Sequence, residues 1–349
     1  MNLREFSKTL GLSPTTVSRA LGGYPEVSPR TRRLVQEAAR EQGYRPDRRA
    51  AALATGRAMT IGHVIPAQMG REMLNPVFGD FMAGAGEVYS AAGYDMAISF
   101  VPDEDELRVY RQIVSARSAD GVIVHAPRVG DTRVPFLRAC GLPFVVHGRV
   151  PGEPLDYPFV DIANRRAFRR LTSFLLDLGH RRVALVNGEP QLEFARRRHE
   201  GWAEAHGAAG LAPDPELVRA GPMSEGNGHR FAAELLALPD PPTAFVCGSV
   251  ITAVGVRRAA HAAGLLPGRD VSIAAHDDML GYFGNGEAEP VFTATRSSAM
   301  EAGRRCAEIL LAQIARPDAP LEQEVWDCDL VLGASTGPLR AGALSTRGD

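Results

Sequence analysis

The sequence predicts a small all-α helix-turn-helix domain joined to an α/β body of two parallel-sheet subdomains. Residues 1–44 carry apolar positions at helical spacing, punctuated by cap residues and glycine. From residue 59 onward, apolar runs of strand length alternate with helical stretches, the pattern of parallel sheets covered by helices on both faces. Charge divides along the same line. Residues 1–57 hold 11 Lys and Arg against 5 Asp and Glu, and the remainder holds 28 against 36, so +6 is joined to −8. A basic module on an acidic body is expected of a nucleic-acid-binding unit attached to something that is not one.

In the opening module, Leu3, Phe6 and Leu10 repeat at helical spacing until Gly11 breaks the run. Asn2 with Glu5 three residues later fits a reciprocal helix start. Ser13 is a good N-cap, and Pro14 suits the first helical position, where a missing N–H costs nothing. Two short helices across a Gly-containing turn make a helix-turn-helix, whose second helix lies in the major groove. Val17 and Leu21 face the small core, which leaves Thr15, Thr16 and Arg19 pointing outward. Thr can meet a thymine methyl or a phosphate, and Arg can bond guanine O6 and N7 together. Any one of them alone reads more simply as a solvated helix face; the caps, turn and Pro start together are more specific. Ser28-Pro29 opens a third helix that runs through Val35, Ala38 and Ala39 to Gly43, a suitable residue just past a helix end. Residues 47–56 have high helix propensity but almost no amphipathic face. They are either a flexible linker or a hinge helix that forms only against a twin on DNA, with Leu53 wedged between base steps.

In the body, strands are expected over 60–66, 94–101, 121–126, 144–148, 183–187, 244–248 and 272–275, with helices starting near Pro76, Asp103, Val134, Asn164, Glu193, Glu225 and Val250. Ligands of such sheets bind beyond the carboxyl ends of the strands. The residues that stand out there are Asn75 and Phe78 after the first strand, His147 and Arg149 around Gly148, Asp161 and Asn164 before a helix, Arg198 four residues before Trp202, and His276-Asp277-Asp278. Each has a plainer alternative: Asn75 and Asn164 as helix caps, Arg198 paired with Glu200 or Glu204, His180 in a helix-to-strand turn. The apolar helix 299–314 is either a subunit interface or core, and core is the simpler fate.

Several function classes are disfavoured. No GxxxxGK[ST] occurs, and no paired carboxylates form an acid/base frame, so an enzyme is not expected. No metal and no cofactor are expected, because His276-Asp277-Asp278 has no second cluster at ligand spacing. Cys140, Cys247, Cys306 and Cys328 are far apart, as in reduced, packed thiols. The absence of a bilayer-length apolar run and of a signal-peptide core predicts a cytoplasmic protein with no membrane partner.

The chain resembles the LacI/GalR family of bacterial transcription regulators over essentially its whole length. The residues that carry the resemblance are LSPTTVSRAL at 12–21, VSPRTR at 27–32, GYRP at 43–46 and 50–56. It implies a helix-turn-helix domain over 1–46, a hinge over 47–57, and a periplasmic-binding-protein-like effector and dimerisation body over 58–349, its two subdomains split near 157–161. By that similarity Thr15, Thr16 and Arg19 read bases and Leu53 is the minor-groove wedge. Asp47 departs from the family's usual Asn, and a carboxylate there weakens phosphate contact or alters hinge capping. The segments around Asn164-Arg165, Arg198 and His276-Asp277-Asp278 also match the family, which implies that Arg198 and Asp277 bond effector hydroxyls. Ser249-Val250 stands where the family often has Asn-Asp, so the hydroxyls gripped should differ. The implied effector set is Asn75, Phe78, His147, Asn164, Arg198, Trp202, Ser249 and Asp277. Segments 144–149, 219–223 and 275–278 look closest to α-glucoside-operon regulators. The implied function is a homodimeric regulator, in the repressor sense, that binds double-stranded operator DNA under control of a sugar, with an α-glucoside as the first candidate. The rivals are a sugar-binding protein and a sugar-modifying enzyme, each carrying an accessory DNA-binding module.

Overall fold

The computed structural model describes residues 1–22, 24–44, 56–66, 76–102, 105–150, 155–286 and 289–340. Leu53, Asn75 and most of the segment between the opening module and the body lie outside these residues. The module consists of α1 (Leu3–Thr9), α2 (Pro14–Leu21) and α3 (Pro29–Glu41). Its caps form as the sequence requires. The Asn2 side chain accepts from Glu5 N–H while the Glu5 carboxylate accepts from Asn2 N–H. Ser13 caps α2 through Thr16 N–H, and Ser28 caps α3 through Thr31 N–H. Gly11 turns the chain between α1 and α2 at φ +62°, a conformation open to glycine at no steric cost. Phe6, Val17, Ala20, Val35 and Tyr44 make the core, with the Phe6 and Tyr44 rings stacked at 4.2 Å.

The body has two six-stranded sheets. The first runs β11-β5-β4-β3-β1-β2, with β1 (Thr60–Pro66), β2 (Asp95–Val101), β3 (Gly121–His125), β4 (Phe144–His147), β5 (Phe159–Ile162) and β11 (Gln323–Trp326), all parallel. The second runs β12-β10-β9-β8-β6-β7, with β6 (Val183–Asn187), β7 (Val218–Ala220), β8 (Ala244–Cys247), β9 (Ser272–Asp277), β10 (Thr293–Arg296) and β12 (Asp329–Val331). Only its edge strand β12 is antiparallel. The central strands are buried on both faces, which is why they read as continuous apolar runs. Edge strand β2 keeps Ile98 and Phe100 exposed.

Helices cover both sheets: α4 (Pro76–Ala91), α5 (Glu106–Ala116) and α6 (Arg133–Cys140) on the first, and α7 (Asn164–Asp177), α8 (Glu193–Ala208), α9 (Glu225–Leu236) and α10 (Val250–Ala262) on the second. The chain crosses between the lobes at 162–164, returns through α11 (Ala299–Ala315) to supply β11, and crosses again at 326–329. Helix α11 buries Ala302, Cys306, Ala307, Ile309 and Leu310 in the first lobe, so its apolar side is core. Paired helices meet through glycine: a Cβ on Gly201 of α8 would stand 2.1 Å from the Arg165 carbonyl oxygen of α7. Among the described residues no helix is long and apolar enough to cross a membrane, and no group of three or more His, Cys, Asp or Glu could hold a metal ion.

Candidate ligand site and DNA-binding face

A cavity lies between the carboxyl ends of the two sheets. It offers about 180 Å³ to the centre of a water-sized sphere, against the about 10–15 Å³ that one water needs. The first lobe contributes Phe78 and Phe81 from α4, His125 and His147 from the ends of β3 and β4, and Arg149 and Asp161. His125 and His147 are register partners on adjacent strands, which sets their rings side by side. The second lobe contributes Asn164 from α7, Glu193, Phe194, Arg197 and Arg198 from α8, and Asp278 just past β9. Gly148 sits in the wall at φ +112°, where a Cβ would meet Pro127 at 2.8 Å.

Arg198 is the most constrained cation of the site. Its guanidinium lies between the rings of Phe168 and Phe194, at 4.9 and 4.8 Å from their centroids. Nε donates to Asn164 Oδ1 and Nη1 donates to the Gly248 carbonyl, each at 2.7 Å. Glu200 and Glu204 are taken by Arg196 and Arg165 instead. Asn164 is not the cap of α7; Ala163 occupies that position, and Asn164 spends its amide on Arg198 and the Ile162 carbonyl. Burial opposes ionisation of Asp278, but His276, Arg198 and His147 outweigh it and hold the carboxyl below its usual range. It is therefore an ionised acceptor beside a fixed guanidinium. Arg149 pairs with Asp161 at 2.6 Å and Arg197 with Glu193 at 2.7 Å, while Arg198 is held by the neutral Asn164 amide and Gly248 carbonyl.

A short backbone clasp joins the lobes at the cavity rim. Glu193 N–H donates to the Pro127 carbonyl at 3.0 Å and Val129 N–H donates to the Gln191 carbonyl at 3.3 Å, around a bridge between Arg128 and Leu192. The clasp rests on a buried ion cluster in which Arg133 binds Asp131 and Glu106 at 2.6 and 2.7 Å. On the far side Gly281 N–H donates to Asp80 of α4 at 2.7 Å.

Of the residues expected from sequence, Phe78, His147, Asn164 and Arg198 line the cavity together. Three others are elsewhere. Trp202 is core, with Nε1 donating to the Val183 carbonyl at 2.9 Å. Ser249 caps α10 through Thr252 N–H. Asp277 accepts from Met279 N–H and pairs with Arg296, leaving Asp278 on the cavity. Sequence reasoning passed over Phe81, His125, Glu193, Phe194 and Arg197, and within the run His276-Asp277-Asp278 it chose Asp277 rather than Asp278. His125 carried a usable signal, since it ends β3 as His147 ends β4. His180 is buried against Thr243, Ser272 and the Gly337 carbonyl, a tie between chain segments.

In the opening module, Ser13, Thr15, Thr16, Arg19, Ser28 and Thr31 line one shallow concavity between α2 and the start of α3. Thr15 and Arg19 are exposed, and the Thr16 hydroxyl shares a bond with Ser13. Two helix N-termini meet at that face, and their free N–H groups suit phosphate.

The chain matches two family models, "Bacterial regulatory proteins, lacI family" over residues 2–47 and "Periplasmic binding protein-like domain" over residues 172–336. It is 42% identical to the HTH-type transcriptional regulator AglR of Rhizobium meliloti over 97% of this chain and 95% of that protein. It is 32% identical to the HTH-type transcriptional regulator RafR of Escherichia coli over 80% of this chain and 82% of that one. Among solved structures, a transcriptional regulator CelR–cellobiose complex superposes with a TM-score of 0.70 at 26% identity, covering 96% of this chain and 99% of that chain.

Proposed function

We propose, from the premise that this chain belongs to the lacI family of bacterial regulatory proteins and is a DNA-binding transcriptional regulator, that a neutral sugar held between its lobes controls its grip on operator DNA. The observation that carries the ligand class is the wall chemistry. Aromatic faces of Phe78, Phe81 and Phe194 suit the C–H face of a sugar ring, while Asp278, Arg198 and Asn164 suit its hydroxyls. Arg149 and Arg197 are ion-paired within the wall, and Arg198 and Asp278 each favour the other's charged form, so the wall offers an ionic ligand no isolated opposite charge. The cellobiose named with the CelR structure supports a disaccharide, and an α-glucoside is the first to try.

Residues 1–46 read DNA through Thr15, Thr16 and Arg19, residues 47–57 form the hinge with Leu53 as wedge, and the remainder binds effector and a second copy of the chain. The protein works in the cytoplasm on nucleoid DNA as a repressor. Homodimerisation is supported by apolar side chains left exposed: Ile98 and Phe100 on β2, and Met279, Tyr282 and Phe283 in the loop tied to α4 by Asp80. Two-fold symmetry in the protein then matches a pseudopalindromic operator. Ligand acts by favouring one arrangement of the lobes, in which the clasp at Pro127–Val129 and Gln191–Glu193 is made; only a ligand that prefers one arrangement can switch the protein.

The test is a thermal-shift screen of the full chain against mono- and disaccharides, followed by gel-shift titration on its own promoter fragment. A sugar that raises the melting point and changes the shift supports the assignment. DNA binding insensitive to every stabilising sugar would sink it.

A further inference from the structure

The first-lobe wall contains a hydrogen-bond chain whose last nitrogen has no partner. His63, in the middle of β1, is fully buried, and its Nδ1 lies 2.9 Å from Nε2 of His125. Its Nε2 lies 3.3 Å from the Tyr89 hydroxyl on α4. His125 lines the cavity and is 2% exposed, and its Nδ1 is buried without a hydrogen-bond partner. Buried polar nitrogens are paired in the great majority of cases, so each exception needs a reason.

The chain can run in two directions, and one satisfies more groups. Burial, with Cys306 nearby, pushes the Tyr89 phenol upward, so it keeps its proton. Burial takes His63 down to about 3 and lowers His125 and His147, so all three rings are neutral near pH 7. A neutral imidazole has one N–H and one bare nitrogen. When Tyr89 donates to His63 Nε2, His63 donates from Nδ1 to His125 Nε2, and His125 is left with Nδ1–H. The reverse direction strands the Tyr89 proton, because His63 is the only hydrogen-bond partner of that hydroxyl among the described residues.

We propose that His125, its tautomer set by Tyr89 and His63, donates its Nδ1–H to a ligand oxygen once a ligand seated on the first-lobe wall uncovers that nitrogen, and so selects ligands that present an acceptor there. The assignment rests on the sugar-effector reading given above. Hydroxyl, ring and glycosidic oxygens of a sugar can all accept. The surroundings fit a ring seated at this point: Phe78 meets His125 edge-on at 5.0 Å, and His147 stacks on Phe81 at 4.5 Å. In this arrangement His125 is a ligand contact, whereas His63 and Tyr89 are positioning residues that touch no ligand.

The experiment combines nitrogen NMR of ¹⁵N-histidine-labelled full-length protein with calorimetric binding of maltose and cellobiose, circular dichroism serving as the fold control. Protonated and bare ring nitrogens resonate far apart, so the tautomer is read directly. The expected result is a protonated Nδ1 on His125 in wild type, a mixed tautomer in Tyr89→Phe, and a shift of the His125 signal on adding whichever sugar binds. His125→Asn keeps a donor near the Nδ1 position and should bind within about threefold of wild type, while His125→Leu should weaken binding about tenfold. A bare Nδ1 on His125, or equal sugar affinity in folded His125→Leu, overturns the proposal alone. If neither sugar binds wild-type protein, the sugar assignment fails and takes this one with it.

Discussion

Gly201→Ala should loosen the second lobe and blunt its ligand site, although the change adds only one methyl group. Gly201 lies on α8 one turn beyond Arg198, where α8 crosses α7 at backbone distance. The new Cβ would sit 2.1 Å from the Arg165 carbonyl oxygen and 2.8 Å from the Arg169 amide nitrogen. Both are backbone atoms of α7, so no flexible side chain can turn aside. Reaching an ordinary 3.4 Å contact requires the helices to part by about 1.3 Å along that line. Overpacking of this kind costs about 1–3 kcal/mol. For a lobe of this size the melting point should fall by about 2–10 °C, read by differential scanning fluorimetry. The same displacement carries Arg198 away from Asn164 and the Gly248 carbonyl, so sugar affinity should drop about tenfold. Gly207 on the same helix is the control. Nothing lies within 4 Å of its would-be Cβ, so Gly207→Ala should gain about 0.5–1 kcal/mol from helix propensity alone. If Gly201→Ala melts at or above Gly207→Ala, the close-approach reasoning is wrong.

Acid should destabilise the first lobe through His63, whose folded-state pKa of about 3 lies below the unfolded 6.5. The unfolded chain then binds more protons as pH falls from 6.5 toward 3, so stability is lost across that window, by about 2 kcal/mol at pH 5. Denaturant melts of wild type and His63→Gln should converge in slope only if this group is irrelevant. Val129→Pro deletes the N–H that reaches the Gln191 carbonyl while removing an exposed side chain, and should speed sugar release several-fold in stopped-flow measurements. Release at the wild-type rate from a folded variant would remove the clasp from the closing mechanism. Arg19→Ala should weaken specific operator binding by about 1–3 kcal/mol and affect random DNA less; equal losses on both would make Arg19 a phosphate contact only.

The opening module was legible because its signals are local. Cap serines, Pro at the first helical position and a glycine turn act within three or four residues, and each appears in the structure where the sequence puts it. The long buried strands were legible too, since burial on both faces leaves an unbroken apolar run. Strands β5, β7, β10, β11 and β12 were missed. They have three or four residues each, and β11 and β12 are edge strands that leave side chains partly or fully exposed. Each exists through pairing with a strand elsewhere in the chain, from about 20 residues away for β9 and β10 to more than a hundred for β5 and β11, and no local pattern encodes it.

The site divides the same way. Strand-end position identifies His147 and would have identified His125, and the helix start at Asn164 singled out that amide. The choice between Asp277 and Asp278 was not available locally. It is made by β10, whose Arg296 lies in register with Asp277 and takes its carboxylate, leaving the next residue to face the cavity. Phe194 and Phe168 become a slot for Arg198 only once α8 packs on α7. Residue order alone decided where helices begin, which strands are interior, and that a basic reader precedes an acidic α/β body, because those depend on neighbours a few positions apart. Which side chains converge between the lobes was decided by crossovers at 162–164, 296–299 and 326–329, because contacts of that range come from packing of whole sheets and are written in no single stretch of the chain.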